Sequence, residues 1–287
     1  MAHVAFLGTG LLGSAMVERM LVQGDRVTVW NRTAEKARAL ESLGARAAAT
    51  AGDAVADADH VHFALPDDAV VDAILAEVAP RLKAGVLVMD HSTTAPPTTG
   101  ARVARMAEQG VRFLHAPVFM SPQMCRDGKG LLLAAGPAAV FSEAEPALAR
   151  MTADVWYLGA RGDLAASYKL FGNAMIFAIN AGLHDVLAMA ANLGIEGEDA
   201  VGLFSRFNAG GAILVRGQKM AKRDFSAMFE LTMARKDLRL MLESAGAQPL
   251  IALPALARRM DEVIAAGHGK DDLVAIAAPV PSRPSRA

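Results

Sequence analysis

The chain has 287 residues, enough for two domains that each bury a core of their own. Thirty acidic residues against 29 basic ones leave a formal net charge of −1, so no broad cationic surface exists to hold DNA or RNA by counterion release. The single cysteine, Cys125, excludes an internal disulfide and suits a reducing, cytoplasmic setting.

The opening Met1–Leu7 is apolar but runs straight into a glycine turn, with no basic leader or cleavage site, and reads as a strand. Further strands are expected at Arg26–Trp30, His60–Ala64, Val86–Asp90, Arg112–Ala116 and Gly130–Ala135, after a first one at His3–Leu7. Between the first two, Leu12, Met16, Met20 and Leu21 recur at helical spacing within Leu11–Gln23. Strands alternating with alanine-rich helices predict a parallel sheet with crossover helices. After about Asp163 helical periodicity takes over, and the proline-free apolar run Leu164–Leu193 predicts one helix of about thirty residues. So apolar a helix needs packing partners all round, as the spine of a helical domain or a subunit interface. No run reaches roughly 18 to 20 uninterrupted apolar residues, so no membrane span is expected. The predicted division is 1–162, 163–278, and a disordered proline-rich tail over 279–287.

Gly8-Thr9-Gly10-Leu11-Leu12-Gly13 falls between a predicted strand and a predicted helix, the context in which this spacing binds a dinucleotide. Gly8 permits the turn, Gly10 lets the backbone approach a pyrophosphate, and Gly13 lets the helix pack closely, while the helix N-terminus offers free N–H groups to phosphate. The second strand ends in Asn31-Arg32-Thr33, without the acidic residue that would hold a ribose 2′-hydroxyl. Asn31 would not repel a 2′-phosphate and Arg32 could grip it, so NADP(H) is the preferred cofactor, with NAD(H) usable. Leu65-Pro66 and Asp90-His91-Ser92-Thr93 follow the next strands, where they would line the nicotinamide half.

Hydride transfer to a carbonyl needs a positioned acid/base. Lys169 and Asn173, four apart on the long helix, share a face. On the residues alone, Lys169 either enters a polar cavity, where burial lowers its pKa, or snorkels to solvent. Lys236-Asp237, within a helical run Ala234–Leu242, is either a second site pair or a surface ion pair. The histidines show no metal-ligand spacing, and no metal is expected.

These motifs resemble the β-hydroxyacid dehydrogenase family, which includes 3-hydroxyisobutyrate dehydrogenases and glyoxylate or succinic semialdehyde reductases. The resemblance rests on Gly8-x-Gly10-x-x-Gly13, Leu65-Pro66, Asp90-x-Ser92-Thr93-x-x-Pro96, Ala116-Pro117-Val118, Lys169-x-x-x-Asn173 and Lys236-Asp237-Leu238, from Val4 to about Ile276. It implies a Rossmann domain followed by an all-helical, 6-phosphogluconate-dehydrogenase-like domain, assembled as homodimers or homotetramers through the long helix. It makes Lys169 the catalytic lysine, Asn173 and Ser92 substrate-site residues, and Thr93 and Lys236 cofactor contacts, for a small carbonyl or hydroxy substrate. One motif departs: His115-Ala116-Pro117-Val118-Phe119-Met120-Ser121 stands where the family has Asp-Ala-Pro-Val-Ser-Gly-Gly, the last three residues holding a carboxylate. That substitution points to a less polar substrate. Imine reductases are also similar around Thr28–Thr33 and Met120-Ser121-Pro122, and Tyr168 beside Lys169 keeps C=N chemistry in view.

Overall fold

A computed structural model describes residues 2–279, and contacts along the chain divide it into two compact units, Met1–Asn173 and the part from Ala174 onward. Of the tail over 279–287, expected to be disordered, residues 280–287 lie outside the described residues.

In the first unit, β1 (His3–Leu7) leads into α1 (Leu11–Val22) and β2 (Arg26–Trp30). Then come α2 (Ala34–Arg38), β3 (Arg46–Ala47), α3 (Ala51–Val55), β4 (His60–Phe63), α4 (Asp68–Val78), β5 (Leu87–Asp90), α5 (Pro96–Glu108) and β6 (Arg112–His115). The six strands form one parallel sheet in the order β3-β2-β1-β4-β5-β6, the doubly wound arrangement of a Rossmann domain. Side chains alternate across each strand. Val4 and Phe6 of β1 therefore enter a core with Met16, Met20, Val27 and Met89 under α1, while Ala5 and Leu7 enter the opposite core with Val55, Phe63, Leu75 and Val103. Register sets Trp30, Leu7, Phe63, Asp90 and His115 side by side at the strand ends, so the segments that follow them emerge along one edge.

The run expected as a sixth parallel strand, Gly130–Ala135, belongs to a different sheet. Pro117, which has no N–H, ends the main ladder after β6. The chain then makes β7 (Val118–Phe119), α6 (Pro122–Arg126), β8 (Leu131–Ala134), α7 (Ala138–Met151) and β9 (Asp154–Tyr157). With β7 antiparallel and β9 parallel to β8, these strands form a three-stranded sheet.

One helix, α8 (Leu164–Asn192), starts in the first unit and continues into the second. The second unit adds α9 (Gly197–Gly202), α10 (Ala212–Lys222), α11 (Leu231–Ala245) and α12 (Leu253–Val263). Its core gathers Leu231, Leu238, Met260 and Val263. Two buried carboxylates replace backbone partners there. Asp185 on α8 accepts the N–H groups of Ile251, Ala252 and Leu253 at 2.7 to 2.9 Å, anchoring the start of α12. Asp272 accepts those of Met228, Phe229 and Val274.

Among the described residues, α8 alone would qualify by length and hydropathy as a membrane span. Its far end is instead fixed by Asp185 inside a packed protein lobe, and its apolar middle is uncovered: every residue from Ala174 to Asn180 is exposed, Phe177 by 70%. The expectation of packing partners all round is therefore not met within one chain.

Candidate active site

The edge where β1, β2, β4 and β5 end carries a cavity of about 470 Å³. Its floor is the turn after β1. Gly8 has φ +101° and a Cβ there would stand 2.3 Å from the Ala64 carbonyl oxygen; one on Gly13 would stand 2.0 Å from the Gly8 oxygen. Only glycine fits either position. At Gly10 the space a side chain would take is open, and Gly10 caps α1 with no side-chain hydrogen bond and no acidic residue in the first turn. The uncapped helix end and the bare backbone before it are what a pyrophosphate requires.

The wall follows β2. The Asn31 side chain accepts from the Thr9 N–H at 3.0 Å and donates to the Thr33 carbonyl at 3.0 Å, tying the glycine turn to the end of β2. Arg32, Thr33 and Lys36 are exposed around the same cavity, and neither cation is engaged in an ion pair among the described residues. Lys36 escaped the sequence reading, although it stands four residues after Arg32 at helical spacing. Trp30, Val70 and Ile74 also line the cavity and were likewise missed, while His91, of the stretch Asp90–Thr93 expected at that strand end, lines it beside Ser92.

Leu65, Pro66 and Ser92 complete the lining. Ser92 is locked: its Oγ accepts from the Leu65 N–H at 2.9 Å and its own N–H donates to Asp90 Oδ1 at 2.9 Å. Beneath it lies a fully buried row of titratable groups. His91 Nδ1 donates to the Ala116 carbonyl at 2.6 Å, which leaves Nε2 to accept from His62 Nδ1 at 2.9 Å. Burial holds both imidazoles below the ordinary histidine range, His62 far below it. Burial pushes the Asp90 carboxyl up, but His115 at 3.4 Å and the Ser92 hydrogen bonds more than offset this and leave it below the usual carboxylate value.

Of the other expected site residues, Thr9 is buried beneath the turn, and Thr93 is exposed outside the lining. Lys169 and Asn173 share a half-buried face at the start of α8, and Lys169 Nζ sits 4.0 Å above the centre of the Phe119 ring. Burial lowers the Lys169 pKa from its ordinary value. Tyr168 instead packs edge-on against Trp156, at 5.4 Å. Lys236, in the second unit, pairs with its neighbour Asp237 at 2.8 Å. The three residues at the expected carboxylate clamp are otherwise engaged. Phe119 lies under Lys169, Met120 packs where a Gly130 side chain would be, and Ser121 Oγ caps α6 by accepting from the Met124 N–H at 3.2 Å.

A doubly wound sheet with a phosphate cradle at its carboxyl edge, followed by a helical unit, defines a dinucleotide-dependent oxidoreductase. The model of the NAD-binding domain of 6-phosphogluconate dehydrogenase matches residues 3–159, and that of the NAD-binding domain of NADP-dependent 3-hydroxyisobutyrate dehydrogenase matches residues 164–280. The chain belongs to this 3-hydroxyisobutyrate dehydrogenase family of NAD(P)-dependent enzymes. It is 32% identical to 3-sulfolactaldehyde reductase of Escherichia coli (strain K12) over 96% of its own length and 95% of that protein's. It is 31% identical to the human cytokine-like nuclear factor N-PAC over 83% of its length, but this covers only 44% of that protein. Among solved structures, the imine reductase from Pseudomonas sp. superposes with a TM-score of 0.88 and the reductive aminase from Aspergillus terreus with 0.85. Each is 23% identical, covering 96% of this chain and 98% of the other, a likeness of fold.

Proposed function

We propose that the protein reduces a small aldehyde or ketone, reversibly, with NADP(H) as its preferred cofactor and Lys169 as the group that gives and takes the proton. Bound NADPH would supply the hydride. The observation that carries the reading is the half-buried Lys169 ammonium, whose pKa burial has lowered and which has no carboxylate partner among the described residues. A carboxylate would hold the proton more tightly, whereas burial alone makes it easier to release. For reduction Lys169 must carry its proton, so that direction fades as pH rises through its pKa; oxidation of the alcohol needs the free amine and gains over the same range. Asn173, on the same face, would orient the substrate oxygen, and Ser92, which lines the cavity, would be a second substrate contact. Gly8 to Gly13 with the α1 terminus would hold the pyrophosphate, and Arg32, Lys36 and Asn31 the 2′-phosphate end. Thr93 and Lys236 remain proposed cofactor contacts. With Phe119, Met120 and Ser121 engaged elsewhere, the substrate is one that does not depend on a carboxylate clamp in that loop.

Lys169→Ala should leave NADPH affinity nearly unchanged and cut aldehyde turnover by about 10² to 10⁴. Normal turnover in that variant rejects the assignment. The imine reductase folds favour a second reading, reduction of C=N, and activity confined to cyclic imines in a paired panel of imines and aldehydes would establish it. A third reading is an idle dinucleotide-binding module, which tight NADPH binding without any turnover would favour. A homodimer or homotetramer through α8 and a cytoplasmic location, the latter resting on the single buried cysteine, belong to the same proposal.

A further inference from the structure

We propose that Phe119 is a positioning residue that seats the Lys169 ammonium on its aromatic face, and that glycine at position 172 is what admits the ring. Phe119 belongs to β7 and pairs with Leu131 of β8, so its ring is delivered by a strand rather than by a free loop. The ring also packs into a small apolar cluster with Leu133, Ala135 and Ala165, which sets its tilt. On α8, Gly172 follows Lys169 by three residues and lies on the same face. A Cβ on residue 172 would stand 2.3 Å from Phe119 Cζ and 2.6 Å from Cε1, closer than any side chain can sit. The ring occupies that space, and its face comes to lie 4.0 Å below the ammonium, inside cation–π range.

This seat differs chemically from a salt bridge. A carboxylate would orient the ammonium but raise its pKa, whereas an aromatic face attracts the charged form weakly while the ring keeps water off one side of it. A flexible four-carbon stem is thereby directed without its proton being trapped. Residues 119 and 172 are consequently coupled: a ring at one requires glycine at the other.

The test separates the seat from the catalytic role of Lys169 on which its kinetic arm rests. Full-length protein carrying ¹³C-labelled lysine is titrated by NMR as wild type, F119L, F119Y and G172A, with the Lys169 signal assigned by its loss in K169R. In wild type and F119Y the Lys169 Cε protons should show an upfield ring-current displacement, absent in F119L and G172A. Leucine keeps the apolar cover but removes the attraction for the charged form, so the Lys169 midpoint should fall by about half a pH unit in F119L and stay put in F119Y. The alkaline decline of aldehyde reduction should move down by the same amount in F119L and stay put in F119Y. No ring-current displacement in wild type, or an F119L midpoint equal to that of wild type, overturns the proposal, even where K169A is inactive. If K169A retains turnover the proton-donor reading fails, and the NMR titration still judges the seat by itself.

Discussion

Asn31 shows how much one side chain can decide. An aspartate there could still accept from the Thr9 amide, but it has no N–H to give the Thr33 carbonyl, so the amide both leaves the neighbourhood uncharged and pins the turn before α2. The charge that would select a 2′-phosphate then comes from Arg32 and Lys36, both exposed at the cavity rim. Charge-assisted hydrogen bonds of this kind contribute about 1.5–3 kcal/mol each. Arg32→Ala should therefore raise the Michaelis constant for NADPH by about ten- to a hundredfold and Lys36→Ala by less, with little change for NADH. Steady-state kinetics with both cofactors check this, and equal rises for the two would show that neither cation reads the phosphate. Arg32 was legible because it sits in the dipeptide just past a strand. Lys36 required knowing that a helix begins at Ala34, and the contact of Lys169 with Phe119 joins residues fifty positions apart that no spacing rule links.

At the scale of elements, β1, β2, β4, β5, β6 and β8 were legible in the sequence, placed to within a residue at either end. Those it hid are β3 and β7, two residues long, and β9, four residues long and no more than half-buried. The histidines were legible as residues but not as a pair, because only the β4–β5 register lays His91 beside His62. That pairing has a measurable cost in acid. Both imidazoles are held below the ordinary value of about 6.5, so below that pH the unfolded chain binds protons that the folded one refuses, and stability must fall as pH falls. Each contributes a slope of up to about 1.4 kcal/mol per pH unit. The carboxylates with lowered values, Asp185 and Asp272 among them, act only below about pH 4. Urea unfolding midpoints should thus decline from pH 6.5 to 5.5, and less steeply in His62→Gln. A flat profile over that range, or an unaltered slope in the variant, would contradict the buried neutral pair.

At the scale of the whole molecule, α8 presents Leu170, Phe171, Met175, Ile176, Phe177 and Ile179 to solvent, with Phe171 exposed by 66%. A helix this apolar and this uncovered needs a partner to be stable in water. A second copy of the chain is the expected occupant. Light scattering should give twice the chain's 30.0 kDa or a multiple of it, and Phe177→Glu should reduce it to the single-chain mass. A monomeric wild type would leave the helix unexplained. If association covers this stretch, folding and assembly are linked by mass action. The melting temperature would then climb with protein concentration, and a sample diluted to nanomolar levels for an assay would lose activity on standing although no residue of its cleft had changed.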